Sequence, residues 1–263
     1  MKRPGLALVV AVLSLLGSER AWAYRPFDFT DADVAGARSL EIELSPAEFV
    51  THGDEHSVRT PSLSINLGIG GGYELSFLVA NLVTMEPVPG EPHSQIVDAG
   101  IEIKRVLRRG ALQETSGPSI AVEGACLFPA RGEEHLGGEA IGIVSQTMGA
   151  GFATVDVSVT RDPEGRNGAG AGVILEGSGD QGWRPVAELK AEGVRGEPTE
   201  RAVLLGSIYE LREGLAFDFG LNLGISEGEH WTELRSGVTF LLGPRSTAPL
   251  RHFARFNLRR RRH

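Results

Sequence analysis

The chain has 263 residues, of which 41% are hydrophobic, 6% aromatic and 23% charged, and its formal net charge is −8. The excess of acid lies in the body of the chain, because residues 244–263 contain seven arginines and no acidic residue. An acidic body disfavours nucleic acid as a partner. The single cysteine, Cys126, excludes an internal disulfide. No apolar run reaches the roughly 18 residues of a membrane-spanning helix.

The N-terminus has the three parts of a secretory signal. Lys2 and Arg3 give a basic start, residues 6–16 form an apolar run, and residues 21–23 (Ala-Trp-Ala) fit a cleavage site. Residues 1–23 are therefore predicted to be a signal peptide that is removed on export. Residues 24–37 are predicted to be a periplasmic lead-in to the folded part of the chain.

The clearest pattern in the chain is the alternation over residues 215–225. Every odd position is apolar, whereas the even positions are small or polar, including Asp218 and Asn222. Because side chains alternate between the two faces of a strand, this segment has one apolar and one polar wall. Its length, eleven residues, is that of a tilted strand crossing a bilayer. Strands are predicted at residues 38–49, 59–69, 72–84, 94–107, 117–128, 138–148, 151–161, 168–176, 183–194, 200–211, 214–225 and 230–242.

These segments, with no helical pattern between them, predict an all-β fold. The export signal and the strand lengths favour a transmembrane antiparallel β-barrel of about 12 strands over residues 38–243. A secreted β-sandwich also has one apolar face on each strand and remains an alternative, although its strands are usually shorter. Residues 244–263 are predicted to be a basic, disordered C-terminal tail, or an amphipathic segment on an anionic surface.

The ends of the strands are predicted to differ in kind. Short glycine turns at residues 70–72 and 149–151 are typical of periplasmic hairpins, whereas polar loops such as residues 51–58 are expected on the outer side. Aromatic residues near strand ends are expected to form a girdle at the membrane interfaces. These residues are Tyr73, Trp183, Tyr209 and Trp231.

Several short motifs of the mature chain resemble those of a known family. In chain order they are residues 24–33 (YRPFDFTDAD), Gly36, residues 40–43 (LEIE), residues 67–68 (LG) and residues 73–75 (YEL). This order resembles the "meta-pathway of phenol degradation" family of outer-membrane transporters, and the last two predicted strands are similar to that family's final hairpin. The chain departs from the family in the triple-glycine turn at residues 70–72 and in its basic tail. The resemblance implies a barrel fold and the passage of small molecules, without establishing a substrate.

Charged and amide side chains occupy one face of most predicted strands. A charge facing lipid near mid-membrane costs about 2–4 kcal/mol, so these side chains are expected to point into the lumen. Acids left unpaired there would favour cationic or neutral solutes. Alternatively, the same residues form ion pairs that hold a narrow barrel closed. The predicted pore-lining residues are Glu41, Glu43, Asn66, Glu74, Asp98, Glu102, Lys104, Glu123, Asp156, Glu188, Lys190, Asp218, Asn222, Glu233 and Arg235.

The first outer loop contains weak candidates for metal ligands. His52 and His56, with Asp54 and Glu55 between them, could form a labile surface site. A solvated polar loop has the same composition, so no metal or other cofactor is predicted.

No motif indicates an enzyme. The G-x-S-x-G elbow of hydrolases is absent. Gly168, Gly170 and Gly172 lie in a predicted strand with no helix after it, so they are not a phosphate-binding loop. These glycines are expected to leave room in the lumen or to permit strand curvature.

Residues 27–33 have two interpretations. They could fold into the periplasmic mouth of the barrel as a gate. Alternatively, they form a polar lead-in in which Asp31 caps a turn, and this second interpretation is slightly favoured.

The sequence therefore predicts a channel or transporter for small molecules in the outer membrane of a Gram-negative bacterium. Its expected partners are outer-membrane lipid, small-molecule solutes and the barrel assembly machinery. The alternative is a closed structural or surface-interaction barrel that has no conducting pore.

Overall fold

The computed structural model describes residues 26–85, 93–178 and 182–243, which form a closed antiparallel β-barrel. Each strand pairs with its neighbours in sequence, and β1 pairs with β12 to close the sheet. Within these residues, none of the helices has the length and apolar character needed to cross a membrane. The strands are β1 Leu40–His52, β2 Glu55–Gly70, β3 Tyr73–Thr84, β4 Ser94–Arg108, β5 Ser119–Leu127, β6 Gly137–Met148, β7 Gly151–Arg161, β8 Asn167–Glu176, β9 Trp183–Val194, β10 Glu200–Arg212, β11 Leu215–Ser226 and β12 Glu229–Leu242.

The predicted all-β barrel is confirmed, and β7 and β9 have the predicted bounds. The largest difference is at the first hairpin, where the predicted loop over residues 51–58 is wrong. Both strands continue through this region and pair Thr51 with His56, leaving a tight turn in which Gly53 has a φ of 57°. The predicted signal peptide and basic tail lie outside the described residues.

The barrel wall is apolar outside and mainly polar inside, apart from two apolar clusters that include Ile143 and Leu204. On β7, Val157 and Val159 are 58% and 62% exposed, whereas Asp156 and Ser158 are 0% and 5% exposed. Because side chains alternate along a strand, the exposed valines face outward and the buried polar groups face the lumen. The outer surface is therefore an apolar belt of the kind that lipid covers.

The two ends of the barrel differ. At the end where β1 begins and β12 ends, here called the termini end, several connections are tight glycine turns, and Gly70, Gly71 and Gly72 all have positive φ. The β4–β5 connection at this end is longer and contains a short 3-10 helix, Ala111–Gln113. The opposite end, where β3 ends and β4 begins, is here called the loop end, and it carries the described loops that were predicted to lie outside.

Three of the four predicted girdle aromatics lie at the termini end. The rings of Trp183 and Tyr209 contact each other with centroids 4.6 Å apart, and Arg105 lies 4.9 Å above the ring of Tyr73. The prediction for Trp231 is wrong, because this side chain faces the lumen and is buried. Its ring lies against Gly224 of β11, where any side chain would collide with it.

Bulges change which residues face the lumen. The register of β1 shifts between Leu44 and Ala47, so the inward positions change from odd to even numbers. Glu43 and Glu48 are therefore both buried on the inside although their numbers differ in parity. A matching shift in β2 follows Arg59, which also lines the lumen.

Candidate functional site

Residues 26–37, here called the N-terminal plug, lie inside the barrel. Arg38, which precedes β1, donates its backbone N–H to the carbonyl of Gly68 at 2.7 Å. From this point the plug enters the lumen through the termini end. The backbone N–H of Ala35 donates to Glu74 at 2.5 Å, and that of Ala32 donates to Ser145 at 3.1 Å.

This placement differs from the polar lead-in that the sequence analysis slightly favoured. The physical reason is that carboxylates inside the barrel accept hydrogen bonds from the plug backbone, which satisfies polar groups on both sides. The expected turn is nevertheless present, because Asp31 accepts a hydrogen bond from the backbone N–H of Asp33 at 2.8 Å.

Asp28 is the most strongly held residue of the plug. Its carboxylate accepts hydrogen bonds from Arg235 at 2.7 Å and from Asn222 at 3.1 Å, and lies 2.8 Å from the ammonium of Lys190. Burial acts to raise the pKa of Asp28, but Arg235 and Lys190 outweigh this effect and hold the pKa well below its usual range. The carboxylate is therefore ionised at neutral pH.

Phe29 is held by its backbone and by its ring. Glu188 accepts the backbone N–H groups of Asp28 and Phe29 at 2.8 and 2.9 Å. The ring packs against Gly170 and Gly172, and a Cβ atom on Gly172 would lie only 2.5 Å from the ring. These glycines therefore leave room for the plug. This agrees with the expectation that they leave space in the lumen, and it identifies the ring of Phe29 as the group that fills that space.

Lys104 and Gln113 hold the part of the plug nearer the termini end. Lys104 donates to the hydroxyl of Thr30 at 2.5 Å and forms an ion pair with Glu123 at 3.2 Å. Gln113 donates to the carbonyl of Ala32 at 2.8 Å. The plug is thus joined to strands on several sides of the barrel by polar contacts. Phe29 and Ala32 also belong to an apolar cluster inside the barrel that includes Leu112, Ile143 and Ile174.

A cavity of about 640 Å³ lies between the plug and the loop end. Residues 26–30 of the plug form its floor, and exposed side chains such as Asp98 and Glu192 lie at its rim. Eleven carboxylate side chains and four lysine or arginine side chains line it within the described residues. Arg59 neutralises part of this charge, because it lies 3.3 Å from Glu233 and 3.6 Å from Asp98.

Ten of the fifteen predicted pore-lining residues border this cavity. The five that do not are buried beside the plug or within the barrel wall, and Asp156 has no hydrogen-bond partner within the described residues. The ten are Glu43, Asn66, Glu74, Asp98, Glu102, Lys104, Glu123, Lys190, Glu233 and Arg235, and the other five are Glu41, Asp156, Glu188, Asp218 and Asn222.

Sequence reasoning missed several charged residues of the cavity. Bulges conceal the inward orientation of Glu48 and Arg59, as described above. Glu139 lies on β6, whose sequence is mixed on both faces, while Glu192 and Glu200 lie near strand ends. Alternation would have identified Glu192, which has the same parity as Lys190 on β9, whereas Glu48 and Arg59 required the pairing register of their strands.

The metal candidates of the first hairpin do not converge. His52 lies 3.5 Å from Glu229, and His56 lies 3.3 Å from the hydroxyl of Thr51. In the part of the chain that the structure describes, no group of three or more His, Cys, Asp or Glu side chains is placed to hold a metal ion.

Neither the family models nor the curated proteins include a match to this sequence. Solved structures do match. The COG4313 outer membrane channel from Pseudomonas putida F1 superposes with a TM-score of 0.59 at 10% identity, covering 84% of this chain and 100% of that chain. The KdgM porin in complex with disordered oligogalacturonate gives a TM-score of 0.50 at 11% identity, covering 76% and 98% of the two chains. At such identities the likeness concerns the fold, and membership of the phenol meta-pathway family stays a prediction.

Proposed function

We propose that this protein is an outer-membrane channel for small molecules whose acidic lumen favours cationic or neutral solutes. The observation that carries the proposal is the cavity at the loop end, with its excess of carboxylates over cationic side chains. A carboxylate-lined, water-accessible passage concentrates cations and repels anions. In the conformation described, the N-terminal plug closes the termini end.

The unfilled part of the lumen favours a channel over a purely structural barrel. A barrel held closed by its own side chains would leave little internal space, whereas about 640 Å³ is within the range of sites that hold small molecules. The polar contacts of the plug support its role as a gate. Water can replace these hydrogen bonds and ion pairs when the segment leaves, whereas the apolar surface that Phe29 and Ala32 bury in the barrel favours the closed state.

The cellular setting belongs to the same proposal. The predicted signal peptide and the apolar belt support insertion into the outer membrane, with lipid and the barrel assembly machinery as partners. The resemblance to the phenol meta-pathway family supports passage of small molecules. It leaves the choice of solute to experiment.

The closed structural barrel is the second candidate, and the plug is the observation that favours it. Replacing Asp28 by asparagine separates the two candidates, because it removes the charge that Arg235 and Lys190 hold. We expect docking of the plug to weaken by about 1–3 kcal/mol, which raises the ratio of open to closed channels roughly 5- to 150-fold. Single-channel recording in planar bilayers measures this ratio.

Asp54→Asn is the matched control, since Asp54 is exposed in the first turn and does not border the cavity. It should behave as the wild type does. A D28N protein that inserts into the bilayer but opens no more often than the wild type would contradict the gate. If the wild type, D28N and D54N all insert without conducting, the structural barrel is favoured.

A further inference from the structure

The cavity has an apolar wall on β12 and β1. Trp231 and Val50 both line it, and Trp231 is 9% exposed. Val50 pairs with Glu233, two residues from Trp231, so the two apolar side chains are diagonal neighbours on the inner surface. Other apolar side chains, such as Ile143 and Ile174, also face inward beside the plug, whereas Trp231 brings an aromatic ring to the cavity near the loop end.

The indole ring of Trp231 lies against Gly224 of β11. Its Nε1–H is buried there and has no hydrogen-bond partner within the described residues. The nitrogen is one of the ring atoms nearest to Gly224, so the ring, rather than this donor, is the part of Trp231 that meets a solute in the cavity.

An acidic wall faces this apolar wall across the lumen. Glu139 lies on β6, six strands away from β12 in the closed sheet of twelve, and is the third residue from the loop end of its strand, as Trp231 is of β12. Glu102 of β4 lines the same cavity, and neither a hydrogen bond nor an ion pair joins it to another described residue. The nearby Lys104 is engaged by Glu123 at 3.2 Å.

The two walls together match one class of solute. The carboxylates of Glu102 and Glu139 suit a positive charge, while the Trp231 ring and Val50 suit an apolar group and can add a cation–π contribution. An organic cation with an apolar group can contact both walls at once, which a monatomic ion cannot. The cavity volume, about 640 Å³, has room for such a molecule.

We propose that the cavity binds organic monocations that carry an aromatic or alkyl group, such as amines and quaternary ammonium compounds. The proposal rests on the proposed function in that the solute reaches the lumen from the loop end. It names the class of solute: the charged group contacts Glu102 and Glu139, and the apolar group lies on Trp231.

Calorimetric titration of the full-length mature protein in detergent tests this proposal. Benzyltrimethylammonium is the probe, tetramethylammonium lacks its ring, and benzyl alcohol lacks its charge. The wild type should bind the probe at least about tenfold more tightly than either comparator. Trp231→Leu should reduce the affinity for the probe to that for tetramethylammonium, and E102Q/E139Q should reduce it to that for benzyl alcohol.

Two variants serve as matched controls. Trp183→Leu removes an exposed tryptophan from the outer surface, and E55Q/E134Q removes two exposed carboxylates that do not line the cavity. Both should bind the probe as the wild type does. Should the Trp231→Leu barrel fail to fold, Trp231→Phe keeps a ring and should retain most of the preference for the probe over tetramethylammonium.

Equal affinity of the wild type for the three compounds would overturn the proposal, as would equal losses in the test and control variants. Calorimetry does not depend on conduction. A protein that binds the probe but never conducts would support the binding site and contradict the proposed channel. A protein that conducts but binds the three compounds equally would contradict the binding site and leave the proposed channel standing.

Discussion

At the residue scale, the contact between Phe29 and Gly172 shows how closely the lumen fits the plug. The phenyl ring occupies the space that a side chain on β8 would otherwise fill. The neighbouring Glu188 accepts the backbone N–H of Phe29 and that of the adjacent Asp28. Phe29 is therefore positioned both by the shape of the lumen and by polar contacts. A small increase in side-chain size at Gly172 should displace the plug.

Gly172→Ala should displace the plug without harming the barrel. The added methyl group must push the Phe29 ring aside, and such overpacking costs about 1–3 kcal/mol. Channel openings should become more frequent, and the double variant G172A/F29A should return toward the wild-type closed state because the ring is gone. Gly124→Ala is the control, since its Cβ would meet only a backbone oxygen at 3.9 Å. Equal opening of G172A and G124A would contradict the account.

Alternation predicted the inward position of many residues but not of all. It works for Asp218 and Asn222, because β11 keeps one parity along its length. It fails for Glu48, because a bulge moves this residue to the inner face. It also places Trp231 on the inner face, in line with Glu233 and Arg235, so the error at this residue came from assigning an aromatic ring near a strand end to the membrane interface.

At the scale of a strand, the outward face of β7 tests the membrane placement. Val157 is 58% exposed in the isolated chain and lies near the middle of its strand. Val157→Arg should destabilise the folded barrel in a bilayer by about 2–4 kcal/mol, whereas Val157→Leu should be nearly neutral. Urea titration of protein refolded into lipid vesicles measures the difference. Equal stability of the two variants would mean that this face does not meet hydrocarbon.

The strands could be predicted from the sequence and the plug could not. A strand's alternation is a local pattern that sequence displays directly. The plug is fixed by contacts between residues far apart, such as that of Asp28 with Glu188, 160 positions away. Residues 27–33 have a polar composition that suits a solvated lead-in as well as a plug. Only the arrangement of the barrel around them decides between these interpretations.

At the scale of the whole molecule, three layers account for the proposed channel. An apolar belt faces outward, a polar inner wall surrounds the lumen, and the plug fills the termini end while the loop end keeps an acidic cavity. The positive charges of Lys104, Lys190 and Arg235 are each paired with a carboxylate. The remaining acids therefore set the sign of the potential that a solute meets on entry.

The reversal potential of the D28N channel under a tenfold gradient of potassium chloride tests this account most directly. The two ions have similar mobilities in water, so the sign of the potential reports which one the lumen prefers. We predict a reversal potential whose sign shows a preference for potassium. Its magnitude should decrease when the salt concentration is raised on both sides, because salt screens the carboxylates. A preference for chloride, or a barrel that inserts and never conducts, would contradict it.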